Sequence, residues 1–354
     1  MTTSADRQPG RYFLSLLGGL EDIVTDELKR RLPGAHIVGG RFGRVNVSYD
    51  GRVEDLTRLR SIENVFARVG EFDGLPASRE GLERVRAMVS EMDFTQACKV
   101  HDQLHGTPVY PTFRVTGQRS GEHEYTSQEF AGAAGSGIQQ RCDWQVNLED
   151  YHYEVVVEVE DDHCSVGLRL TKTALHKRSR QTGGLAALNP TLAHAMCVLS
   201  EPAEGETVLD PMCGTGTVLI ERHSLGPAVL LGSDLFENAI TEARINVEAT
   251  RVPAHLIRAD ARRMPLASGS VDKVICNPPW GRRVLGGRSM WRLYRPVFGE
   301  IERVLRPGGL AVILTLQRRL MEELVGRVRG LDMAHDRVVS VGGMHPHLYV
   351  LRRA

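Results

Sequence analysis

The segment Asn277-Pro278-Pro279-Trp280 has the residue types and spacing to bind a planar amine. It follows an apolar run over 271–276 that predicts a short buried strand. Proline has no N–H and restricts the residue before it to extended geometry. The side-chain oxygen of Asn277 and the carbonyl of Pro278 should therefore lie side by side without ladder partners. An NH2 group would satisfy both oxygens, and Trp280 would offer a flat apolar face to the ring that carries it. The alternative is a turn that closes a core strand around a buried tryptophan.

A glycine-rich turn lies within 207–220, where the pattern predicts a strand, a turn and the start of a helix. Gly214 and Gly216 would let the backbone approach a ligand closely. A P-loop is excluded because no lysine follows the turn, and a dinucleotide fingerprint would need a third glycine where Leu219 stands. Asp210 places a carboxylate at the strand end, which disfavours a pyrophosphate and favours an ammonium or sulfonium group. The charge therefore favours S-adenosylmethionine as the cofactor.

Two further strand ends carry carboxylates. Asp234 follows an apolar run and stands 18 residues after Gly216, where it could accept both ribose hydroxyls. Asp260 ends the next segment and would suit the adenine amine. Each acid alone is more often a turn or cap residue, but four successive polar strand ends predict a site at the carboxyl edge of a parallel sheet.

The pattern around these residues predicts the elements that position them. In the C-terminal half the sequence predicts a helix over 291–305, a turn over 306–309, a strand over 310–316, a helix to about 328, and a hairpin of 337–341 with 348–351. In the N-terminal half it predicts a small α+β module over 11–60, a helix over 79–92, a strand over 113–115, a glycine-bounded loop over 117–123, a helix over 128–140, and a hairpin of 153–159 with 167–170. His101 and His105 have metal-site spacing, but no third ligand stands in a matching place, so no metal is predicted.

Composition sets limits on the function. The chain has 354 residues, which predicts two or three domains. It has no run of about 18 apolar residues and no leader-like start, which predicts a soluble cytoplasmic protein. Its six cysteines are scattered, which favours reduced thiols. Residues 1–175 carry 20 Lys and Arg against 27 Asp and Glu, whereas residues 176–354 carry 24 against 17. This asymmetry permits a polyanionic partner but does not require one.

The motifs together resemble a known family. Phe113-Arg114-Val115, Arg119-x-Gly121-x-His123 and the 175–178 segment are similar to a THUMP domain with its preceding ferredoxin-like module. The D-P-M-C-G-T-G-T and N-P-P-W segments resemble those of class I methyltransferases that act on guanine N2 of RNA. The resemblance covers nearly the whole chain. It implies a ferredoxin-like module (1–65), a THUMP RNA-binding domain (66–172), a linker (173–189) and a Rossmann-fold methyltransferase domain (190–354). That last domain would be a doubly wound, mixed seven-stranded sheet whose last strand is antiparallel.

The resemblance also implies roles for individual residues. The cofactor would be bound by Asp210, Pro211, Cys213, Gly214, Gly216, Thr217, Asp234, Asp260 and Asn277, and the target base by Asn277, Pro278, Pro279 and Trp280. Exposed cations that could contact RNA are Arg119, His123, Lys177, Arg178, Arg282 and Arg283. An acidic stretch over 158–162 would repel phosphate if it lay on the RNA-binding face.

The expected reaction is methyl transfer from S-adenosylmethionine to the exocyclic N2 of a guanosine in tRNA, in the acceptor stem, by a monomeric enzyme. A flipped base would stack on Trp280, and the two acceptor oxygens would take the place of a strong general base. Two alternatives remain open. One is 23S rRNA as the substrate, and the other is an RNA-binding protein whose transferase half is inert.

Overall fold

The computed structural model describes residues 10–178, 182, 187–281, 290–328 and 330–354. This part of the chain divides into two compact units. The first comprises residues up to 15, 25–59 and 63–174, and the second comprises residues 16–24, 60–62 and those from 175 onward.

The elements before residue 175 combine strands with helices. The strands are β1 (Gly10–Ser15), β2 (His36–Arg41), β3 (Arg44–Tyr49), β4 (Asn64–Phe72), β5 (Thr112–Ser120), β6 (Gln145–Val146), β7 (Tyr153–Glu160) and β8 (His163–Arg169). The helices are α1 (Glu21–Arg31), α2 (Val53–Leu56), α3 (Glu80–Ser90), α4 (Thr95–His105) and α5 (Ser127–Arg141). The predicted helices α3 and α5 and the predicted hairpin of β7 with β8 are confirmed.

The eight strands of the first unit form one continuous sheet in the order β2-β3-β1-β4-β8-β7-β5-β6. Strand β4 pairs antiparallel with β1 on one side and with β8 on the other. The expected boundary between residues 65 and 66 therefore falls within a strand that is paired on both sides, and the sheet does not divide there.

Two local predictions in this sheet differ from the structure. Arg119 was expected in a loop, but β5 stays in register with β7 as far as Ser120, so Arg119 is a strand residue. Val155, Val157 and Val159 alternate along β7, a pattern typical of a strand that buries one face, yet Val156 on the other face is also buried, against the stacked rings of Phe13 and Phe66. Period-two alternation fails here because both faces of this central strand are covered.

The second unit alternates strands and helices after a short 3₁₀ turn (Leu175–Lys177). Its helices are α6 (Pro190–Leu199), α7 (Thr217–His223), α8 (Glu237–Ala249), α9 (Trp291–Val304) and α10 (Arg318–Val325). Its strands are β9 (Thr207–Asp210), β10 (Val229–Asp234), β11 (Ala254–Arg258), β12 (Val271–Cys276), β13 (Leu305–Thr315), β14 (Leu331–Val338) and β15 (His347–Arg353).

The seven strands of this unit form a mixed sheet in the order β11-β10-β9-β12-β13-β15-β14. The pairs from β11 to β13 are parallel, and β15 is antiparallel to both of its neighbours. This is the predicted class I methyltransferase sheet, including its antiparallel last strand. The strand order reverses direction beside β9, which is where open α/β sheets bind ligands.

Two predicted boundaries in this unit differ from the structure. Residues 306–309, expected to form a turn, fall within the bounds of β13. They have no ladder partners, because Leu305 pairs with Val271 and the next pair is Leu310 with Lys273, and Gly308 has φ +78°. The terminal hairpin begins at Leu331 rather than at residue 337, because β14 pairs with β15 along its whole length.

Helix α9 shows how the fold aims side chains at the sheet. Its buried residues, Tyr294, Val297, Phe298, Ile301 and Val304, recur at spacings of three and four, so they form one face of the helix. That face packs into the core of the sheet. The first of these residues, Tyr294, thereby reaches the end of β12.

Candidate active site

Three polar side chains converge at the carboxyl edge of the parallel strands. In β10, Gly232 pairs with Asp210, so Asp234 lies two residues further along its strand. On the other side, β12 places Asn277 three residues beyond Val274, which pairs with Leu209. Because β10 and β12 flank β9, Asp234 and Asn277 lie on either side of Asp210, each roughly 6.5 Å further along its strand.

The glycine turn after β9 is held by the neighbouring acid. Gly214 has φ +50° and Gly216 has φ +79°, a region that favours glycine. The Oδ2 of Asp234 accepts the N–H of Gly214 at 3.1 Å, and its Oδ1 accepts the N–H of Phe236 at 3.1 Å. Each carboxylate oxygen keeps a further lone pair. Asp234 is thus oriented by the backbone while still able to accept two hydroxyl groups.

Asp210 is the most deeply buried acid of the site, with 2% of its surface exposed. Its Oδ1 accepts the N–H of Met212 at 3.1 Å. Burial, and to a smaller extent the nearby Asp234, raises the pKa of Asp210 to about 8 despite that hydrogen bond. A positive charge placed beside Asp210 would oppose both effects, so the residue favours a cationic ligand.

Asn277 and Pro278 present the two predicted acceptors. The Oδ1 of Asn277 is buried and has no hydrogen-bond partner among the described residues. Within the same part of the chain, no residue donates to the carbonyl oxygen of Pro278. Both oxygens therefore remain free of the described part of the protein, as the sequence predicted. We call residues 277–280 the acceptor corner.

Residues that the sequence did not single out hold this corner. The indole N–H of Trp280 donates to the Leu314 carbonyl at 3.2 Å, and Nε2 of Gln317 donates to the Trp280 carbonyl at 2.8 Å. The hydroxyl of Tyr294 donates to the Pro279 carbonyl at 3.2 Å. Tyr294 and Gln317 lie 14 or more residues from the corner along the chain and carry no motif, so no sequence signal marks them.

Asp260 lies beyond the end of β11, but an arginine already occupies its carboxylate. The Nη2 of Arg262 donates to Oδ2 at 2.6 Å, and its backbone N–H and Nε donate to Oδ1 at 2.9 and 3.0 Å. These contacts with Arg262 lower the pKa of Asp260. An adenine amine could use this carboxylate only by sharing or displacing the arginine.

The remaining expected cofactor residues line the same turn. The Pro211 carbonyl accepts the Ser233 hydroxyl at 3.3 Å, and the Cys213 N–H donates to the Ser233 carbonyl at 2.9 Å. Burial raises the pKa of the Cys213 thiol, so this side chain stays neutral and packs as an apolar group. The Thr217 hydroxyl lies 3.1 Å from that of Thr215 at the start of α7.

Comparison with known proteins identifies the family. The profile described as "RMKL-like, methyltransferase domain" matches residues 177–347, and the THUMP domain profile matches residues 89–169. A tRNA (guanine(6)-N2)-methyltransferase from Thermus thermophilus is 30% identical over 345 residues, which are 95% of this chain and 97% of that protein. The chain belongs to this methyltransferase family.

Two further relatives agree with this assignment. The crystal structure of TrmN from Thermus thermophilus superposes with a TM-score of 0.81 at 28% identity, covering 97% of this chain and 99% of TrmN. The mouse tRNA (guanine(6)-N(2))-methyltransferase THUMP3 is 32% identical over 263 residues, which are 70% of this chain and 52% of THUMP3. The chain thus spans about half the length of its mammalian relatives.

The candidate RNA-binding residues of this chain have diverse surroundings. Arg119 is exposed on β5, and its Nη1 donates to the Gly121 carbonyl at 3.0 Å. His123 contacts the Asp161 carbonyl through Nε2 at 2.6 Å. Lys177 is exposed in the 3₁₀ turn. Arg282 and Arg283 lie outside the described residues.

Arg178 was expected to contact RNA, but the structure pairs its partly buried side chain with a buried carboxylate. Its Nε and Nη2 each lie 3.2 Å from the carboxylate of Glu221, which is fully buried in α7. Arg60 approaches the same carboxylate through Nε at 2.9 Å, and Arg178 also donates to the Arg60 carbonyl at 2.7 Å. A guanidinium held in this way is not available to a phosphate, so we do not propose Arg178 as an RNA contact.

The acidic stretch over 158–162 is partly neutralised, because two of its four acids pair with arginines. Glu158 pairs with Arg41 and Arg44, each at 2.7 Å, and Arg41 also pairs with Glu160. The sequence could not show this because the arginines lie more than 100 residues away. The repulsion expected between this stretch and phosphate is therefore reduced.

Two further classes of site can be considered. Among the described residues, no cluster of three or more His, Cys, Asp or Glu side chains could hold a metal ion. In the same part of the chain, no helix has the length and apolarity needed to cross a bilayer.

Proposed function

We propose that this methyltransferase transfers the methyl group of S-adenosylmethionine to the exocyclic N2 of a guanine in tRNA. The observation that supports this most is the buried Oδ1 of Asn277, which has no hydrogen-bond partner among the described residues. Leaving a buried acceptor unsatisfied costs about 1–3 kcal/mol, so such an oxygen is expected to meet a donor in the working complex. A guanine amine has two N–H donors, which match Asn277 and the Pro278 carbonyl.

The residues at the carboxyl edge of the sheet fit the proposed cofactor. Its sulfonium would supply an electrophilic methyl group. Asp210 provides a buried carboxyl group suited to a cationic amino acid end, and Gly214 provides open space beside the turn, since a Cβ added there would meet nothing within 4 Å. Asp234 keeps a lone pair on each oxygen for the ribose hydroxyls.

The acceptor corner would act on the amine. The lone pair of guanine N2 is delocalised into the ring, which makes the nitrogen a poor nucleophile. Accepting both of its hydrogens at Asn277 and Pro278 would draw the nitrogen toward tetrahedral geometry. It would also stabilise the positive charge that develops as the N–CH3 bond forms and the S–CH3 bond of the donor breaks, after which one N2 proton would pass to water. A preorganised polar group aimed at a developing charge, such as a donor of an oxyanion hole, contributes about 3–4 kcal/mol, and we expect a comparable effect here. The half-buried ring of Trp280 would support the base by stacking.

The choice of RNA rests on the family. We propose tRNA as the substrate, with the guanine in the acceptor stem, and we keep 23S rRNA as the alternative. We disfavour an inert transferase half, because Asp234 and Asn277 both retain lone pairs that can accept hydrogen bonds at the carboxyl edge of the sheet, and an inert domain would not need them. We further propose that residues 66–172 bind the RNA. We propose a monomer in the cytoplasm, where all six cysteines, which are free, would stay reduced.

An activity assay on unmodified transcripts tests this function. The full chain would be incubated with S-adenosylmethionine and either tRNA or 23S rRNA, and N2-methylguanosine would be measured by mass spectrometry after nuclease digestion. We expect the product in tRNA only. Asn277→Ala should abolish turnover while RNA affinity stays near wild type. Asn277→Asp, which keeps acceptor oxygens at the same place, should retain more activity than the alanine variant.

Three outcomes would contradict the proposal. Product in 23S rRNA alone would favour the alternative substrate. Absence of product with either RNA, although both bind, would favour the inert RNA-binding protein. Full turnover by Asn277→Ala would remove the acceptor role.

A further inference from the structure

We infer that Tyr294, Thr315 and Gln317 form a clamp that sets the orientation of the acceptor corner, and that these three side chains are positioning residues for methyl transfer. The inference rests on the proposed function, because it gives the corner its role in holding the amine. Its physical basis is a set of hydrogen bonds within the second unit, all among described residues.

The corner can be held only through unusual contacts. Residues 278 and 279 are prolines, so neither has an N–H with which to bind a neighbouring strand. The backbone groups of residues 278–280 that can still form hydrogen bonds are the three carbonyl oxygens and the Trp280 N–H. Two of these three carbonyls are bound by side chains, that of Pro279 by Tyr294 at 3.2 Å and that of Trp280 by Gln317 at 2.8 Å. The third carbonyl, that of Pro278, is the one proposed to face the base.

The direction of each hydrogen bond in the clamp follows from the number of hydrogens. Tyr294 has one hydroxyl hydrogen, and the Pro279 carbonyl can only accept, so Tyr294 donates to it. The contact of 2.8 Å between the Tyr294 and Thr315 hydroxyls must then be donated by Thr315. Thr315 in turn accepts the backbone N–H of Gln317 at 3.1 Å. The result is a one-way chain from Gln317 through Thr315 and Tyr294 to Pro279.

Burial makes this chain rigid. Thr315 is fully buried and Tyr294 is 1% exposed, so water cannot replace a broken link. Each hydroxyl both donates and accepts, which strengthens its neighbours in a low-dielectric interior. Gln317 belongs to the chain through its N–H and also holds Trp280 through its side chain, so the two bound carbonyls are fixed relative to one another.

The clamp therefore decides which oxygens are left for the substrate. By occupying the carbonyls of Pro279 and Trp280, it sets the rotation of the corner and leaves Pro278 and Asn277 as the adjacent acceptors. A displacement of about 1 Å at a reacting group can cost roughly 100-fold in rate. Loss of the clamp should consequently lower kcat and leave binding of cofactor and RNA largely unchanged.

Tyr294→Phe is the sharpest test, because it removes one oxygen and keeps the ring stacked on Phe298 at 6.0 Å. Tyr349→Phe is the matched control. Tyr349 is a buried tyrosine of the same core, 2% exposed, and its hydroxyl has no partner among the described residues. We expect Tyr294→Phe to lower kcat by about 10- to 100-fold with KM values within about twofold of wild type. Tyr349→Phe should leave kcat and KM unchanged and should not lower Tm, and Gln317→Leu should behave like Tyr294→Phe.

A second measurement reads the order of the corner without any turnover. In a background of Trp144→Phe and Trp291→Phe, Trp280 is the single tryptophan of the chain. Acrylamide quenching of its fluorescence should increase in Tyr294→Phe and stay unchanged in Tyr349→Phe.

The outcomes separate the clamp from the proposed function. If Tyr294→Phe keeps full kcat while Asn277→Ala is inactive, the clamp is overturned and the proposed function stands. If kcat falls only in step with Tm, or falls equally in Tyr349→Phe, the role is merely structural and the inference fails. If the wild type methylates no RNA, the proposed function fails and the role of the clamp in methyl transfer fails with it. The quenching result then decides only whether the clamp orders the corner: higher quenching in Tyr294→Phe alone supports this ordering, and equal quenching refutes it.

Discussion

Replacing Asp210 with asparagine should remove a steep pH dependence from the stability of the protein. The pKa of Asp210 is raised by burial to about 8 from an ordinary value of 3.8. Between these pH values the unfolded chain loses the proton and the folded chain keeps it, so stability falls as pH rises. The loss is about 1.4 kcal/mol for each pH unit, or roughly 4 kcal/mol by pH 7. Asparagine stays neutral and avoids it.

Urea unfolding of the wild type and Asp210→Asn at pH 5, 6, 7 and 8, without cofactor, measures this effect. The difference between the two proteins isolates Asp210, because all other titrating groups are common to both. The free energy of unfolding of the variant should rise relative to that of the wild type by about 1.4 kcal/mol per pH unit up to about pH 8, where the difference should level off. A difference that stays constant over this range would show that Asp210 is ionised throughout, and the argument from burial would be refuted.

The same residue should couple cofactor binding to proton release. A cationic amino group favours the ionised carboxylate, so below about pH 8 binding must remove the proton from Asp210. Calorimetry in buffers of different ionisation enthalpy should detect this release near pH 7. Asp210→Asn should bind the cofactor more weakly and should release fewer protons than the wild type. The protons that this variant still releases measure the titration of the ligand's amino group.

Three further predictions concern other residues. Asp234→Ala should weaken cofactor binding by about 1–2 kcal/mol in calorimetry, and unchanged affinity would remove Asp234 from the site. Glu221→Gln should destabilise the protein by about 3 kcal/mol at pH 7, because Arg60 and Arg178 would lose their partner. Burial acts to raise the pKa of Glu221, but His194 and these arginines lower it to about 2. The difference in the free energy of unfolding, measured in urea, should therefore be complete above pH 4.5 and disappear as pH falls through about 2. Arg178→Ala should lower Tm without changing RNA affinity, and Lys177→Ala should lower RNA affinity without changing Tm. A filter-binding assay measures the affinity, and an equal loss in both variants would show that Arg178 contacts RNA.

The sequence by itself determined the class of the fold and predicted where the candidate site lies. Glycines at 214 and 216, an acid at each of three strand ends, and two consecutive prolines after Asn277 are local features, and their consequences are local: tight turns, strand ends and acceptors without ladder partners. Hydrophobic periodicity likewise located most helices and strands, because each element buries one face or a short continuous run.

Tertiary structure decided everything that depends on residues distant in the chain. Only the folded sheet shows that Asp210 is buried enough to hold a proton, that β4 joins both parts of the first sheet, and that Arg178 is bound by Glu221. Tyr294 and Gln317 reach the acceptor corner from α9 and from the end of β13, and neither carries a motif. Burial and partner choice are properties of the packed chain, since they depend on which surfaces meet in space rather than on the order of residues.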